Sequence, residues 1–284
     1  MSFLRIHAAP GRTTSLILSW FLFGAGIAGY FYAAQQRHRE NPDDRVMPTA
    51  GQMIRAFEDA ALKPAEEENI DDGIKDTRLL TRVRSSMLWK DTEATGRRFL
   101  TSVVLLIPAV LLGLHMAMFP YIGAFFLRFV QFFDKIVALS LLPILFIAFG
   151  IDELSKVMLI LVGVTPTIIL DTFNTSKNVP REQIVKAFTL GAADFAVTYR
   201  IILKQISPHI MNSIRLNLKA VMLFLFAGEM IASTDGLAYR IALLRRHMGM
   251  DTIIPYVLWV ALLLFLVDLA MHTFNRKMYP WFQE

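Results

Sequence analysis

The stretch VKAFTLGAADFAVTYRIIL (Val185–Leu203), continued by KQISP as far as Pro208, decides how the rest of the chain is read. It is the longest polar-bearing interruption in a hydrophobic C-terminal half, and apolar runs lie on both sides of it. Val185, Phe188 and Leu190 load one short helical segment. Gly191 then interrupts that segment with a residue that takes positive φ at no steric cost. Phe195, Tyr199, Ile202 and Leu203 recur at helical spacing until Pro208, which the pattern reads as the end of the second segment. Helix, break, helix is the expectation. Such a hairpin, held at a membrane surface between two spans, can receive a push from a soluble partner and pass it to both.

The composition sets the outer bounds. Hydrophobic residues make up 55% of the chain, 22 residues are Phe, and the mean hydropathy is +0.46, which is too apolar for an ordinary soluble domain. There is no Cys, which excludes disulfides, thiolate metal sites and Cys nucleophiles. A net charge of +5 is small for this length, and the basic residues do not gather on one aromatic-laced face, so nucleic acid is dropped as a partner. Contact with lipid headgroups and an inside bias of positive charge account for the excess.

The chain in order reads as a polytopic all-α membrane protein with about six spans. Residues 1–14 form a short basic lead. Residues 15–34 are apolar over the roughly 20 residues that cross a bilayer, and are read as a retained first span rather than a cleaved signal. Residues 35–98 form an extracytoplasmic polar region. Within it an amphipathic helix runs from about Met47 to Leu62, with Thr49 as its N-cap and Met53, Ile54, Phe57 and Ala61 on one side. An acidic insertion follows over residues 63–76, read either as solvated chain or as a docking element for a partner outside the membrane. Residues 99–284 hold five more spans, at 99–118, 125–149, 154–170, 214–232 and 253–274, and the loop 171–211. Pro108, Pro143 and Pro166 fall inside spans, with Pro143 expected to kink the third. The fourth span has a short apolar core and is expected to be sheltered by neighbours. Six spans put both termini on one side. Lys177, Arg181, Lys186, Arg200 and Lys204 place that side in the cytoplasm, against the pull of Arg240, Arg245 and Arg246.

The central stretch resembles the cytoplasmic EAA loop of binding-protein-dependent ABC importer permeases, which reads Glu-Ala-Ala, three residues, Gly, nine residues, Ile-x-Leu-Pro. Ala187, Gly191, Ile201 and Leu203 fall in register, whereas Val185 stands in place of Glu, Lys186 in place of Ala and Lys204 in place of Pro. LLPILFIAFGIDELSK (141–156), AGEMIASTDGLAY (227–239) and the closing stretch from Asp268 to Trp281 look like the nitrate, sulfonate and taurine branch of these permeases. The resemblance covers residues 86–281, and more faintly 47–60. It implies a type I importer permease fold in a bacterial inner membrane. The implied partners are a pair of ABC ATPase subunits, a second permease copy and an extracytoplasmic solute-binding protein, with ATP and Mg bound by the ATPase and no cofactor in this chain. It also implies an ATPase-coupling loop made of Ala187, Phe188, Leu190, Gly191, Ala192, Ala193, Asp194, Ile201 and Leu203, with 191–194 as the tip that enters a groove on the ATPase. Loss of the acid at 185 and gain of a base at 186 leaves three readings open: a differently adapted ATPase, a second permease that keeps the full motif, or lost coupling.

Chemistry of the chain's own is not visible. No Gly-x-x-x-x-Gly-Lys-Ser/Thr occurs, so phosphates cannot be cradled in a Walker loop. The six His residues (7, 38, 115, 209, 247, 272) lack ligand spacing, so no metal is expected, and no Gly-x-Ser-x-Gly is present. Three acids lie in or beside spans, where a charge costs about 3 kcal/mol unless paired or wetted. Glu229 either pairs with a basic group or faces the translocation path. Asp268 is read as a structural charge helped by Arg276 or Lys277, with a place on the translocation path as the alternative, and Asp171 as a residue that ends the fourth span and caps or contacts the loop. The expected function is the permease subunit of an ATP-driven importer for a small solute, anionic in one reading. A channel or secondary carrier without an ATPase, or a permease-like scaffold, stands as the alternative. Catalysis is not expected.

Overall fold

The computed structural model describes residues 11–40, 46–62 and 86–282, and every described element is helical. The acidic insertion 63–76 and most of the lead 1–14 lie outside the described residues. α1 (Arg12–Glu40) is apolar over most of its length and keeps its surface outward, as a helix in lipid does. It touches the rest near its C-terminal end, where Tyr30 Oη donates to Pro48 O at 3.4 Å.

α2 (Ala50–Leu62) is amphipathic and opens on Thr49. Gln52, three residues on, accepts from the Thr49 amide at 2.8 Å, which is the reciprocal half of a capping box. Phe57 packs on Trp259 with ring centroids 5.8 Å apart, so α2 lies across the last helix.

α3 (Met87–Val104) and α4 (Ile107–Met118) together form the second crossing. The helix starts twelve residues before the expected position 99, so the boundary drawn at 98/99 falls inside it. The polar letters of residues 87–98 hid the helix, because Asp91, Thr95 and Arg98 are buried against other polar groups while Lys90, Glu93 and Arg97 stay exposed. Pro108 sits in the first turn of α4, where its missing N–H breaks no bond, so it starts a helix instead of bending one.

The third apolar run is not one span kinked at Pro143. α5 (Pro120–Phe133) ends, residues 134–137 turn, a 3₁₀ segment covers Ala138–Leu141, and α6 (Leu142–Phe149) follows. The two halves meet at 81°. Pro143 lies in the first turn of α6, after the break, so the bend belongs to residues 134–137.

α7 (Glu153–Lys177) is the centre of the bundle. Leu159, Ile160, Val164 and Ile168 are fully buried, which bears out the sheltering expected of this span. Close approach explains part of that. A Cβ on Gly113 of α4 would meet Thr172 Cβ at 2.8 Å, so only a residue without a side chain lets these helices touch. α7 runs on to Lys177, and Asp171 therefore lies within the helix rather than ending it; its carboxylate accepts from Ser213 Oγ at 2.6 Å.

α8 (Arg181–Thr189) leads to the Gly191 turn. A single helical turn at Asp194–Ala196 and a π-helical stretch at Val197–Ile202 then pass without interruption into α9 (Leu203–Ala232). Pro208 is inside α9 and does not stop it. The wider π-helical turn just upstream is where the local hydrogen-bond ladder changes register, and packing of Ile202, Ile206 and Ile210 into one apolar cluster holds the helix through the proline. α10 (Leu237–Arg245), bent by 53° from α9, and α11 (Met250–Met278) complete the chain. Among the described residues four helices are long and apolar enough to cross a membrane, or up to six crossings form if each bent pair is one.

Candidate functional site: a surface loop and a buried ionic cluster

The two ends of the bundle carry different chemistry. At one end, α8 closes in a Schellman motif around Gly191. The Ala192 amide donates to Ala187 O at 3.1 Å and the Gly191 amide to Phe188 O at 2.9 Å, with Gly191 at φ +82°. Ala187 is buried and Ala192 packs beside it, the small apolar contact that accompanies this cap. Ile201 and Leu203 also pack inward against the cluster that holds Leu114, Val197 and Ile206. Phe188, Leu190, Gly191, Ala193 and Asp194 point outward, and Leu190 is 87% exposed. Val185, at 58% exposure, and Lys186 share that outer surface.

The loop is tied to the end of α4. Tyr199 Oη and His115 Nε2 are hydrogen-bonded at 2.9 Å, His115 stacks on Phe119, and Phe119 meets Phe195 at 5.5 Å between centroids. A cleft of about 350 Å³ separates the α4–α5 junction from Ile184, Phe188, Asp194 and Val197. The loop therefore leans on the second crossing as well as leading into α9.

At the opposite end, one face of α3 carries Asp91, Thr95, Arg98 and Ser102 at helical spacing, all of them buried. Arg98 is the hub. Its Nε and Nη2 donate to the two oxygens of Glu153 at 2.5 and 2.7 Å, and its Nη1 donates to Glu229 at 2.8 Å and to Asp235 O at 3.0 Å. Its Nη2 also reaches the Asp235 carboxylate. Lys156 adds a second cation to Glu153 at 3.2 Å. Beside this set, Arg240 Nε donates to Asp91 at 2.8 Å.

These groups also finish a helix. The first amides of α10 have no partner within the helix. Gly236 N–H donates to Asp91 at 3.1 Å, Leu237 N–H to Thr95 Oγ1 at 2.9 Å and Ala238 N–H to Glu229 at 3.2 Å. Negative charge at a helix N-terminus is favourable. The cluster therefore locks α3, α7, α9 and α10 together. Of the two readings left open for Glu229, the structure shows the paired one: its carboxylate is wholly buried, with Arg98, the Thr95 hydroxyl and the Ala238 amide around it. Asp268 pairs across helices with Arg215, at 3.8 Å, instead of with Arg276 or Lys277 two turns on. Sequence reasoning missed Arg98, Asp91 and Thr95. The signal was there, as polar residues at 91, 95, 98 and 102 spaced for one helical face.

Among the described residues no group of His, Cys, Asp or Glu could hold a metal ion. What the geometry offers is a rigid, charge-pinned end and an open apolar loop at the other.

Comparison with known proteins identifies the family. The taurine transport system permease protein TauC of Escherichia coli (strain K12) is 27% identical over 202 residues, covering 69% of this chain and 72% of that protein. A probable ABC transporter permease protein of Brucella melitensis is 27% identical over 205 residues, covering 72% of this chain and 83% of its own length. The putative aliphatic sulfonates transport permease protein SsuC of E. coli (strain K12) is 26% identical over 152 residues, covering 54% and 58%. Among solved structures, the inward-facing MetNI methionine ABC transporter shares the fold, with a TM-score of 0.53 at 17% identity over 72% of this chain and 99% of that one. Residues 109–280 match the family described as binding-protein-dependent transport system inner membrane component, and the chain belongs to that family.

Proposed function

We propose that this permease forms the translocation path of an ATP-driven importer for a small anionic solute and is moved by a separate ATPase through the Gly191 loop. As a permease subunit it is a transport component, not an enzyme; ATP and Mg would be bound by the ATPase partner. One observation carries the reading: Val185, Phe188, Leu190 and Phe195 are exposed on a loop that projects from the end of the bundle. Apolar side chains gathered on such a projection suit a groove on a soluble partner. Lys186, outward-facing beside a Val185 that stands where the family has Glu, suits an ATPase groove with an acidic rim. The solute class is supported by the names of the relatives, which transport taurine and aliphatic sulfonates.

In this reading the loop end is cytoplasmic, together with both termini, and six crossings place the ionic cluster at the outer face near an extracytoplasmic binding protein. Two permease copies sit over two ATPases. ATP binding closes the ATPases, moves the loops and shifts the spans from inward- to outward-facing, which requires only that ATP binds the two states with different affinity.

The test is purification of the tagged chain in mild detergent with mass spectrometry of what accompanies it. A stoichiometric soluble subunit bearing a Walker motif is expected. In that complex, Gly191→Val forces a β-branched residue into positive φ and should lower solute-stimulated ATP hydrolysis roughly 5- to 30-fold, the equivalent of the ~1–2 kcal/mol such a conformation costs. Unchanged coupling in an assembled complex would rule out this role for the loop. Absence of any ATPase would instead favour a channel or secondary carrier.

A further inference from the structure

The broken third crossing carries polar residues that nothing else in the chain explains. α5 reads PYIGAFFLRFVQFF, and Arg128 and Gln131 interrupt an otherwise aromatic and aliphatic helix. Lys135 follows in the turn, where Asp134 still has helical backbone angles. Positions 128, 131 and 135 are spaced i, i+3, i+7, so the three long side chains lie along one face. All three are exposed, and the Lys135 side chain is 81% exposed. Among the described residues Arg128 and Gln131 have no hydrogen-bond or ion-pair partner.

Their depth follows from Asp134. Its carboxylate accepts from Thr167 Oγ1 at 3.1 Å and pairs with Lys135 Nζ at 2.9 Å. Thr167 is 14 residues from one end of α7 and 10 from the other. At about 1.5 Å per residue that is roughly 21 and 15 Å, so the break stands near mid-membrane. At that depth a Lys is too far from either interface to snorkel, and a bare cation is strongly disfavoured in hydrocarbon. Elsewhere the chain neutralises its buried cations, since Arg98, Lys156 and Arg240 each meet a carboxylate. Here two cations face one acid, a local net charge of +1, on a surface left open. Such a face has to be wet.

We propose that Arg128, Gln131 and Lys135 line the aqueous path and form a subsite for a small sulfonate or oxyanion. The Arg128 guanidinium offers a planar fork to two oxygens, the Gln131 amide adds a neutral donor, and Lys135 supplies a point charge beside the break. The subsite rests on the importer reading and gives it the residues that would meet the solute.

The absence of Cys makes each single replacement the one thiol of this chain, read on its separated band. Gln131→Cys and Lys135→Cys, each in the reconstituted permease–ATPase complex, are treated with two membrane-impermeant methanethiosulfonates, one bearing a sulfonate and one a trimethylammonium group. Rates are normalised to those of a free thiol. Both positions should be modified, and at position 131 the sulfonate reagent should be favoured about tenfold or more, the low end of charge steering in a cleft. Adding Arg128→Ala should remove that preference. Phe129→Cys, on the neighbouring apolar face, should not react. Protection of both positions in a complex that still hydrolyses ATP would mean that lipid or the second copy covers the stripe, and would overturn the proposal without touching the importer reading. Modification without preference for the anion would overturn the subsite as well. Failure to recover an ATPase would be failure of the importer reading itself.

Discussion

Replacing Arg98 with Met should destabilise the protein by about 3–5 kcal/mol, and the reason is one carboxylate rather than three. Arg98 bonds to Glu153, Glu229 and Asp235. Glu153 and Asp235 have side chains 53% and 52% exposed, so without Arg98 they can turn to solvent and little is lost. Glu229 is 0% exposed and would keep only the Thr95 hydroxyl and the Ala238 amide. The cost is therefore that of a stranded buried charge. Glu229→Gln is milder, about 1–3 kcal/mol, because the amide keeps the shape and Arg98 keeps two acids. The double replacement Arg98→Met with Glu229→Gln removes the stranded charge and should cost at least about 2 kcal/mol less than the two single costs added. Thermal unfolding of the purified complex in one detergent is the assay. At about 2 °C per kcal/mol for a chain of this size, Arg98→Met should lower the midpoint by roughly 6–10 °C. A fall below about 2 °C, or strict additivity in the double replacement, would refute the view that this cluster holds its end of the bundle together.

Three further outcomes follow from the same geometry. Gly236→Ala would put a Cβ 2.7 Å from the Glu229 carboxylate at φ +118°, whereas a Cβ on Gly191 meets nothing within 4 Å; the first should cost clearly more than the ~1–2 kcal/mol of the second, and equal midpoints for the two alanine variants would contradict this. Ser213→Ala removes the 2.6 Å bond to Asp171 and should cost about 1.5–3 kcal/mol in the same assay, as hydrogen bonds to charged groups do. Tyr199→Phe keeps the ring and loses only the bond to His115; ATP hydrolysis should persist while solute moved per ATP falls, and an unchanged ratio would remove this contact from the route between loop and span.

Much of this was legible in the chain because apolar period and glycine chemistry are local. The hairpin around Gly191 could be read from spacing alone, and its cap has the geometry that a glycine after Leu190 implies. The helix through Pro208 could not. Proline is a local stop signal, and here the packing of Ile206 and Ile210 outweighs it. The same holds at Asp171, where span length by hydropathy ended the helix early because Thr172, Asn174 and Ser176 are polar letters. Thr172 and Ser176 are buried in the bundle, and the Ser176 hydroxyl donates to Thr172 O within its own helix at 2.7 Å. The ionic cluster was half legible. Glu229 stood out as a charge in an apolar run, but its partner lay 131 residues away in the stretch read as an extracytoplasmic polar region. Pairing at that separation is set by topology, and one-dimensional periodicity carries no information about it.

The chain handles charge within its helices in two ways, and the contrast is what gives the open stripe its meaning. At the end away from the loop, three cations and four acids meet within one cluster, and the Gly236 and Ala238 amides donate to its two buried acids. Groups satisfied so fully resist movement, which suits an anchor. At the break of the third crossing, Arg128 and Gln131 have no partner among the described residues, although α5 could have carried Leu or Phe there at no cost in lipid. A fold that compensates Arg98 down to its last donor does not leave a second arginine open through lack of acids. Asp134 is already placed to take Lys135 and Thr167, and one more acid on the same face would close the stripe. Left open, its surplus positive charge has use only for something that arrives and leaves. An acid introduced there, as Gln131→Glu, should therefore pair with Arg128, leave the unfolding midpoint within about 2 °C, and abolish uptake of an anionic solute; uptake at the original rate would show that the solute takes another route.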